Sequence, residues 1–269
     1  MDNLFIQNFH FMGISIALGV LAVSLIYWIL NKSFISEWFK ASEGVVVSFI
    51  TIPAFLFGLA LSTLASSIWD SHVSANLSLV NESGAIRALA LASTNLAPQD
   101  KLRLTEAINN YVTAVVDNEW PTMKANTSMV HNTASPEFEA LSKITNTIAM
   151  EPNQHSLIAG RLESSMNILQ HERLLRSSLA YEGTNFARWP SILVLSFLLL
   201  FTVGLLQLRS PRAMKISLIM GALCIGSSML FLFLNLSPYS GLNPVTPNLL
   251  KSSIGIISPT NTDLPQEKH

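Results

Sequence analysis

The stretch VVVSFITIPAFLFGLALSTLA, residues 45–65, contains no acidic or basic side chain. It matches the ~20 apolar residues that an α-helix needs to cross ~30 Å of hydrocarbon. Three further runs are equally free of Asp, Glu, Lys and Arg: Phe9–Leu30, Trp189–Leu208 and Ile216–Leu234. The four runs form two pairs on either side of a long polar stretch. This pattern predicts an all-α integral membrane protein with four transmembrane helices in two hairpins.

The composition agrees with a protein that is largely embedded in lipid. Of the 269 residues, 49% are hydrophobic and only 12% are charged, and the formal net charge is -1. Because no extended basic stripe is present, the sequence gives no electrostatic basis for nucleic-acid binding. Cys224 is the only cysteine and lies in the fourth apolar run, which excludes disulfide bonds within the chain and chemistry that needs paired thiols.

The sequence contains none of the familiar catalytic motifs. It has no phosphate-binding glycine loop, no nucleophile elbow and no pair of histidines at the spacing of a helical metal site. His155 and His171 lie too far apart on one predicted helix to share a metal ion. We therefore predict that the protein is not an enzyme and that it has no catalytic residue, cofactor or metal site.

Basic residues at the hairpin tips predict the orientation of the spans. The connection Asn31–Gly44 carries Lys32 and Lys40, and Arg209–Lys215 carries three basic side chains. Short basic loops lie on the cytoplasmic side of a membrane. We therefore predict a multi-pass protein of the bacterial inner (plasma) membrane, with both termini and the central region outside the cytoplasm. The leader Met1–Asn8 lacks Lys and Arg, so we expect a retained first span rather than a signal peptide.

The hairpins divide the chain into four predicted regions. Residues 1–67 form the first transmembrane hairpin, and 68–188 form an extracytoplasmic helical domain. The second hairpin occupies 189–235, and an extracytoplasmic C-terminal tail occupies 236–269.

Helical patterns fill the central region. Apolar residues recur at helical spacing in Gln99–Trp120, and we expect Pro121 to end that helix because proline cannot donate a backbone hydrogen bond. A polar loop is expected over residues 121–134. Ser135, followed by proline and glutamate, is expected to cap a helix that ends near Met150.

Two predicted helices extend toward the membrane from the central region. Asn153 is expected to cap a helix over 154–179 that has no proline before the third span. The second span is likewise followed by a proline-free stretch. We therefore expect it to continue outward as a helix through Trp69, Glu82 and Arg87.

The second span carries the most informative pattern in the membrane. Small side chains follow one another at four-residue steps: Ala54, Gly58, Ser62 and Ser66. Further hydroxyls and a helix-distorting proline are contributed by Ser48, Thr51, Thr63 and Pro53. One interpretation is a tight helix-helix seam whose hydroxyls bond back to the backbone. The other is a pore wall whose hydroxyls replace the water around an ion. The sequence leaves both interpretations open.

The spans contain no ionisable carboxylate, lysine or arginine, which argues against proton-coupled transport and voltage sensing. Passive conduction remains physically possible, and it would require several chains around a symmetry axis, because each chain offers one such helix face. Asp70 and His72 follow the second span and Glu82 lies further along the same helix. We consider these three as candidates for charges around a vestibule.

Two local patterns resemble the bacterial bestrophin-like membrane proteins, a family classed as a domain of unknown function. One is Val80–Leu89, VNESGAIRAL, with an acidic residue followed by small and aliphatic residues. The other is Ser237–Gly241, SPYSG, followed by Val245, Pro247 and Leu249–Leu250. With the paired hairpins and the helical middle, the resemblance extends from about Gly44 to Ile254.

The resemblance implies likeness to anion channels, a homo-oligomer in membrane lipid, and a small inorganic ion as permeant. One departure is the stretch Asn235-Leu236-Ser237, where the family's pattern has an aspartate, so a role for that carboxylate does not carry over. Glu82 does match the acidic residue of the family's first pattern. It is either a vestibule charge or the pairing partner of an arginine such as Arg87.

The alternative function is a non-conducting sensor or scaffold whose outer helical domain binds a partner or ligand. A small-solute transporter is disfavoured.

Overall fold

The computed structural model describes residues 2–34, 36–41, 49–125, 134–151, 156–182 and 189–257. Throughout these ranges the regular structure is helical, as the sequence predicts. The helices are α1 (Asp2–Lys32), α2 (Ser36–Ala41), α3 (Thr51–Ser93), α4 (Pro98–Ala114), a π-helical turn (Val115–Glu119), α5 (Trp120–Lys124), α6 (Ser135–Ala149), α7 (Ser156–Glu182), α8 (Trp189–Leu206), α9 (Pro211–Leu234) and α10 (Asn248–Ile257).

The chain forms two compact units. The first comprises Met1–Asp70 and Thr184–Leu236, and the second comprises Ser71–Gly183 and Ser237–His269. Helix α3 contributes residues to both, because it is a single helix of 43 residues. The expected continuation of the second span through Glu82 is therefore observed. Residues 237–257 are part of the second unit, where Tyr239, Val245 and Leu250 are buried in the core.

Three of the described helices, α3, α8 and α9, are long and apolar enough to cross a bilayer. Helix α1 spans 31 residues and includes the apolar segment Gly19–Lys32. The four predicted runs thus all fall on helices, although the second run begins among residues outside the described part. The four-span topology itself remains a prediction.

In the first unit, α1, α8 and α9 pack against one another around a glycine. A Cβ atom added to Gly204 of α8 would lie 2.7 Å from Cδ1 of Leu30 and 3.2 Å from Cγ2 of Ile26, both on α1. A larger residue here would displace the ends of these two side chains, so glycine favours close packing of the two helices. By contrast, a Cβ atom added to Gly58 of α3 would meet nothing within 4 Å. The tight seam is therefore built on the third apolar run, and the small-residue face of the second makes no such seam at Gly58.

In the second unit, α4 packs on α6 and α10, and α6 packs on α7. Apolar residues from all of these helices and from α3 share one core. The fully buried positions of α4, which include Leu104, Ile108 and Tyr111, recur at the three- and four-residue spacing that identified this helix in the sequence.

The expected helix end at Pro121 is wrong. Helix α4 passes into the π-helical turn, whose amide from Trp120 donates to the carbonyl of Val115, and helical structure continues to Lys124. Pro121 lies in the first turn of α5, where a missing N–H is tolerated. A π-helical turn is a common way to absorb such a disturbance without ending a helix. Of the predicted loop 121–134, residues 126–133 lie outside the described part.

The expected cap at Ser135 is also wrong. Ala134 occupies the capping position and Ser135 is the first residue of α6. The Phe138 amide, which a Ser135 cap would have satisfied, donates to the Ala134 carbonyl, and the Ser135 hydroxyl accepts a hydrogen bond from Arg173 at 3.0 Å. The helix ends at Ala149, close to the expected Met150. Asn153 and the connection 183–188 lie outside the described residues.

The seam at Gly204 predicts a selective loss of stability. Gly204→Val should lower the free energy of unfolding by ~1–3 kcal/mol, because the added methyl groups overpack the contact with Leu30 and Ile26. Thermal melting of the purified protein in detergent would measure this loss of stability. Gly58→Val and Gly226→Val have open space at Cβ and serve as controls for the lower helix propensity of valine. Equal losses in all three variants would contradict a seam at Gly204.

Candidate functional site

The outward face of α3 contains most of the residues that the sequence proposed for a pore. Thr51, Gly58, Ser62, Thr63 and Ser66 are all exposed in the isolated chain. The opposite side of the helix is buried, where three residues pack in a cluster with residues of α8 and α9: Phe57, Leu64 and Ile68. Within the described chain the hydroxyl-bearing side of α3 is therefore largely uncovered.

Two of the proposed pore residues do not present polar groups to that face. Pro53 is buried, so its ring cannot line an opening on the exposed side. Helix α3 begins at Thr51, after a turn at Ile50, so Pro53 lies in its first turn rather than at a kink within it. The Thr63 hydroxyl donates to the Ala60 carbonyl at 2.9 Å, as the seam interpretation expected. Ser48 lies outside the described residues.

Gly58 and Ser62 of α3 face a groove of about 510 Å³ whose other wall is α9. Ser227, Ser228 and Phe231 supply that wall. The hydroxyls of Ser227 and Ser228 both donate to the Cys224 carbonyl, at 3.0 and 2.9 Å. The groove thus combines small, hydroxyl-bearing and apolar side chains, and among the described residues it contains no charge.

The three vestibule candidates have different environments. Asp70 is exposed and His72 is half-buried. Glu82, by contrast, has 0% of its surface exposed and lies inside the second unit. Its carboxylate therefore faces protein groups and not water within this chain. Its ionic partner is Arg176 of α7, while Arg87 is exposed and donates to the Ser252 hydroxyl at 3.3 Å. The pairing of Glu82 with Arg87 is thus wrong.

Glu82 accepts three hydrogen bonds. Oε2 accepts from Nε of Arg176 at 2.9 Å, and Oε1 accepts from Nη2 of the same guanidinium at 3.3 Å. The Tyr111 hydroxyl donates to Oε1 at 2.7 Å. Two parallel N–H···O bonds hold the guanidinium and carboxylate planes in a fixed mutual orientation. Helices α3, α4 and α7 are therefore joined at one buried point.

A second carboxylate balances the charge of Arg176. Glu119, in the π-helical turn, places Oε1 3.1 Å from Nη1 of Arg176, and its Oε2 lies 4.0 Å from Nη2 of Arg173. Neither Glu119 oxygen has the alignment of a hydrogen bond. Two carboxylates thus face two guanidiniums in the interior, an arrangement that avoids an uncompensated buried charge. The π-helical turn, which the sequence did not reveal, is the element that carries Glu119.

Aromatic rings enclose this ionic cluster of Glu82, Glu119, Arg173 and Arg176. The Arg176 guanidinium carbon lies 5.6 Å from the centre of the Trp120 ring, and Trp120 meets Tyr239 edge-on at 5.6 Å. A cation over an aromatic face is attracted by the ring's quadrupole. The rings thereby exclude water while still stabilising the cation.

The cluster shifts the pKa of its neighbours in known directions. Burial raises the pKa of the Tyr111 phenol well above its usual value, and the nearby Glu82 charge adds to the effect. Burial also raises the pKa of Tyr239, although Arg176 opposes the shift. Burial lowers the pKa of Arg176, but Glu82 and Glu119 outweigh burial and raise it overall. Both phenols are therefore neutral and Arg176 is charged throughout the physiological range.

The two family-like sequence patterns meet beside the cluster. From the first, the Ser83 hydroxyl donates to the Leu249 carbonyl at 3.3 Å and lies 3.1 Å from that of Ser253. In the second, Gly241 has φ of 116°, which explains glycine at that position, because a side chain would be strained there. The turn is closed by the Val245 amide, which donates to the Pro238 carbonyl at 2.9 Å.

Sequence reasoning identified Glu82 but missed Arg176 and Glu119. A signal for Arg176 exists: it lies seven residues after the buried Leu169 and three before the buried Leu179, on the apolar face of α7. An arginine on such a face requires a buried carboxylate.

No group of three or more His, Cys, Asp or Glu side chains among the described residues could hold a metal ion.

The geometry predicts that Glu82 is a stability residue whose partner is Arg176. Glu82→Gln should lower the free energy of unfolding by ~3–5 kcal/mol, since it leaves a buried guanidinium with only one carboxylate. Arg87→Gln, which removes an exposed charge five residues along α3, should change it by less than ~0.5 kcal/mol. Chemical denaturation monitored by tryptophan fluorescence would compare the two. Similar losses from both variants would contradict the pairing.

Comparisons with known proteins agree with the fold. A variant of a bacterial bestrophin homologue from Klebsiella pneumoniae has 13% sequence identity and a TM-score of 0.61, over 91% of this chain and 97% of that chain. A second variant of a bestrophin homologue from Klebsiella pneumoniae has 13% sequence identity and a TM-score of 0.59, over 91% of this chain and 96% of that chain. A structure described as a membrane protein has 11% sequence identity and a TM-score of 0.62, over 93% of this chain and 97% of that chain. At these identities the likeness establishes the fold.

No protein among those with curated functions matches the chain. The model of the bestrophin-like domain matches residues 17–250, which is most of the sequence and includes both patterns described above. The chain is therefore a member of the bestrophin-like family.

Proposed function

We propose that the chain assembles into a homo-oligomeric ion channel of the bestrophin type, which conducts passively and is lined by α3. The observation that carries this proposal is the outward face of α3, which combines hydroxyls with bulky apolar side chains in a chain of the bestrophin-like family. Membership of the family supports the channel class. The residues of α3 support the choice of helix.

The face offers two features that a passive pore needs. Phe55 and Leu59, which are 68% and 52% exposed, provide bulky apolar groups that can narrow a pore and gate it by dewetting. Ser62 and Ser66 follow on the same face and provide hydroxyls that can replace water around an ion. Because the span has no ionisable carboxylate or amine, neither proton coupling nor a charged filter is part of the proposal.

A pore requires several copies of the chain. One side of α3 is already packed on α8 and α9, so a single chain supplies one wall. A closed ring of identical chains would bring the exposed sides together around an axis. In that ring Asp70, exposed one turn after Ser66, would stand at the pore entrance. Glu82 would not, because it is committed to the ionic cluster.

A non-conducting sensor or scaffold is the second candidate. The second unit has an open groove of about 400 Å³ between α4 and α6, lined in part by Arg103, Glu106 and Glu137. Such a groove could receive a small polar ligand. This candidate predicts ligand or partner binding without any current across a membrane.

The proposed orientation can be tested by chemical labelling. In a Cys224→Ser background, Phe34→Cys at the first hairpin tip should react with a membrane-impermeant maleimide only after spheroplasts are lysed. Met150→Cys, in the second unit, should react in intact spheroplasts. The two side chains are 96% and 82% exposed, so their access is limited by the membrane alone. The opposite pattern would show that the hairpin tips lie outside.

The pore assignment can be tested by recording currents. Purified protein in planar bilayers should give discrete, ion-selective currents, and Ser62→Leu should lower the single-channel conductance several-fold, because it replaces a hydroxyl on the proposed wall with a larger apolar group. Ser191→Leu, the same change on α8, should leave the conductance unchanged.

A second measurement addresses which face lines the pore. In the Cys224→Ser background, Ser66→Cys should be modified by charged thiosulfonate reagents with a change in current whose sign follows the charge of the reagent. Absence of current with both anions and cations would contradict the channel and favour the sensor. Current that Ser62→Leu and Ser66→Cys modification leave unchanged would contradict only the choice of helix.

A further inference from the structure

A groove of about 400 Å³ lies between α1 and α9 in the first unit, beside the hairpin tips. Lys32 and Lys215 stand at one end of it. From Lys32, α1 extends along the groove to Val23, a distance of ~14 Å at ~1.5 Å per residue. Leu218 and Ile219 of α9 line the part of the groove that lies ~5–6 Å beyond Lys215. The groove is thus cationic at the hairpin end, and the rest of its lining is apolar and aromatic apart from Ser24.

Neither lysine has a carboxylate partner among the described residues. The ion pairs found there involve only Arg103, Arg173 and Arg176 as cations. The stretch 189–236, which contains α8 and α9, has no acidic residue. The N-terminal end of α9, one turn from Lys215, adds the positive end of a helix dipole. The nearest acidic residue described, Glu37 of α2, forms no ion pair with either lysine, so both ammonium groups are available to an anion at this end of the groove.

Aromatic residues position the lysines and indicate their depth. The Nζ atom of Lys215 lies 4.9 Å from the centre of the Tyr27 ring, a contact that orders the ammonium group but leaves its N–H donors available to a ligand. Trp28, also lining the groove, is 54% exposed. Tyr and Trp concentrate at the level of lipid headgroups, and lysines near helix ends extend to the same level. The cationic end of the groove thus lies where lipid phosphates lie.

These features select one kind of occupant. A soluble anion would use the lysines but not the ~14 Å of apolar wall. A neighbouring protein surface or a second copy would have to bury two ammonium groups that form no ion pair in the described chain, which is costly. A phospholipid places its phosphate beside the lysines and its acyl chain along the wall. A zwitterionic headgroup would bring its own ammonium toward them, so an anionic headgroup fits better.

We propose that the groove between α1 and α9 binds one anionic phospholipid per chain, with its phosphate held by Lys32 and Lys215 and one acyl chain lying along Val23 and Ile219. This assignment needs only that the first unit spans a membrane, and it does not depend on conduction. Basic pockets between transmembrane helices are suited to such headgroups. The lipid would stabilise the pairing of α1 with α9.

The test uses the full-length protein in detergent, titrated with dioleoyl phosphatidylglycerol or dioleoyl phosphatidylcholine. Bound lipid is counted by native mass spectrometry, and thermal melting is followed in parallel. We expect one retained phosphatidylglycerol per chain and a larger rise in melting temperature with that lipid. The double variant Lys32→Gln/Lys215→Gln should weaken its binding roughly 30-fold, as expected from two surface lysines.

Two control variants isolate the groove. Arg212→Gln removes the same charge from the exposed first turn of α9, outside the groove lining, and should bind as the unmodified protein does. Lys32→Arg/Lys215→Arg should retain the preference for phosphatidylglycerol. Three outcomes would overturn the proposal. They are equal retention of the two lipids, binding of phosphatidylglycerol that Lys32→Gln/Lys215→Gln leaves undiminished, and a loss of binding in Arg212→Gln as large as in the double variant.

Two further measurements distinguish a bound lipid from the other possible occupants of the groove. Inorganic phosphate at millimolar concentration should not displace phosphatidylglycerol, and full displacement would identify an anion site rather than a lipid site. Trp28→Cys in the Cys224→Ser background should not form disulfide-linked dimers under mild oxidation. Efficient dimer formation would show that a second copy covers the groove and would also overturn the proposal.

Discussion

The Arg176 guanidinium is the charge around which the second unit is arranged. It has 0% exposure, so it is stable only because Glu82 and Glu119 meet it from two different elements. Removing a guanidinium from water costs several kcal/mol unless its donors are paired. The π-helical turn, which would otherwise be an irregularity in α4, brings Glu119 to the required place. Tyr111 completes the coordination of Glu82, and Trp120 and Tyr239 exclude water. Packing in this unit is thus specified by a charge as well as by apolar area.

A different constraint acts on the first unit. Hydrocarbon supplies no partners for charged groups, so the spans exclude them and the helices are held together by contact of their side chains. At Gly204 of α8, the absence of a Cβ atom leaves room for the side chains of Leu30 and Ile26 from α1. Polar groups in the spans satisfy themselves locally, as Thr63 does by bonding to the Ala60 carbonyl. Lys32 and Lys215, in the groove proposed to bind lipid, are the residues through which this unit would contact anionic headgroups.

The sequence predicts the elements of this fold well and their contacts poorly. Runs of apolar residues and helical spacing identified the spans, the long extension of α3 and the amphipathic α4, because these depend on local periodicity. Four-residue steps of small residues made a close contact at Gly58 one of two interpretations, yet the structure has such a contact at Gly204, since close approach depends on which helix lies opposite. Pro121 was expected to end a helix because proline cannot donate a backbone hydrogen bond. That expectation failed because the π-helical turn, which lets the helix continue, cannot be foreseen from propensity. Glu82 was singled out, but its partner lies 94 residues away on α7, and Arg87 was merely nearer in sequence.

Packing within the first unit determines which side of α3 is available for the proposed pore. Phe57, Leu64 and Ile68 recur at helical spacing and pack with residues of α8 and α9, so they mark the covered side of the helix. At 3.6 residues per turn, Ser62 and Ser66 lie about one turn apart on the other side. The sequence displays both sides of α3, but only the helices that lie against it decide which of them is free to face another chain. The apolar contacts of the covered side therefore select the hydroxyl-bearing face as the one that a second copy of the chain can meet.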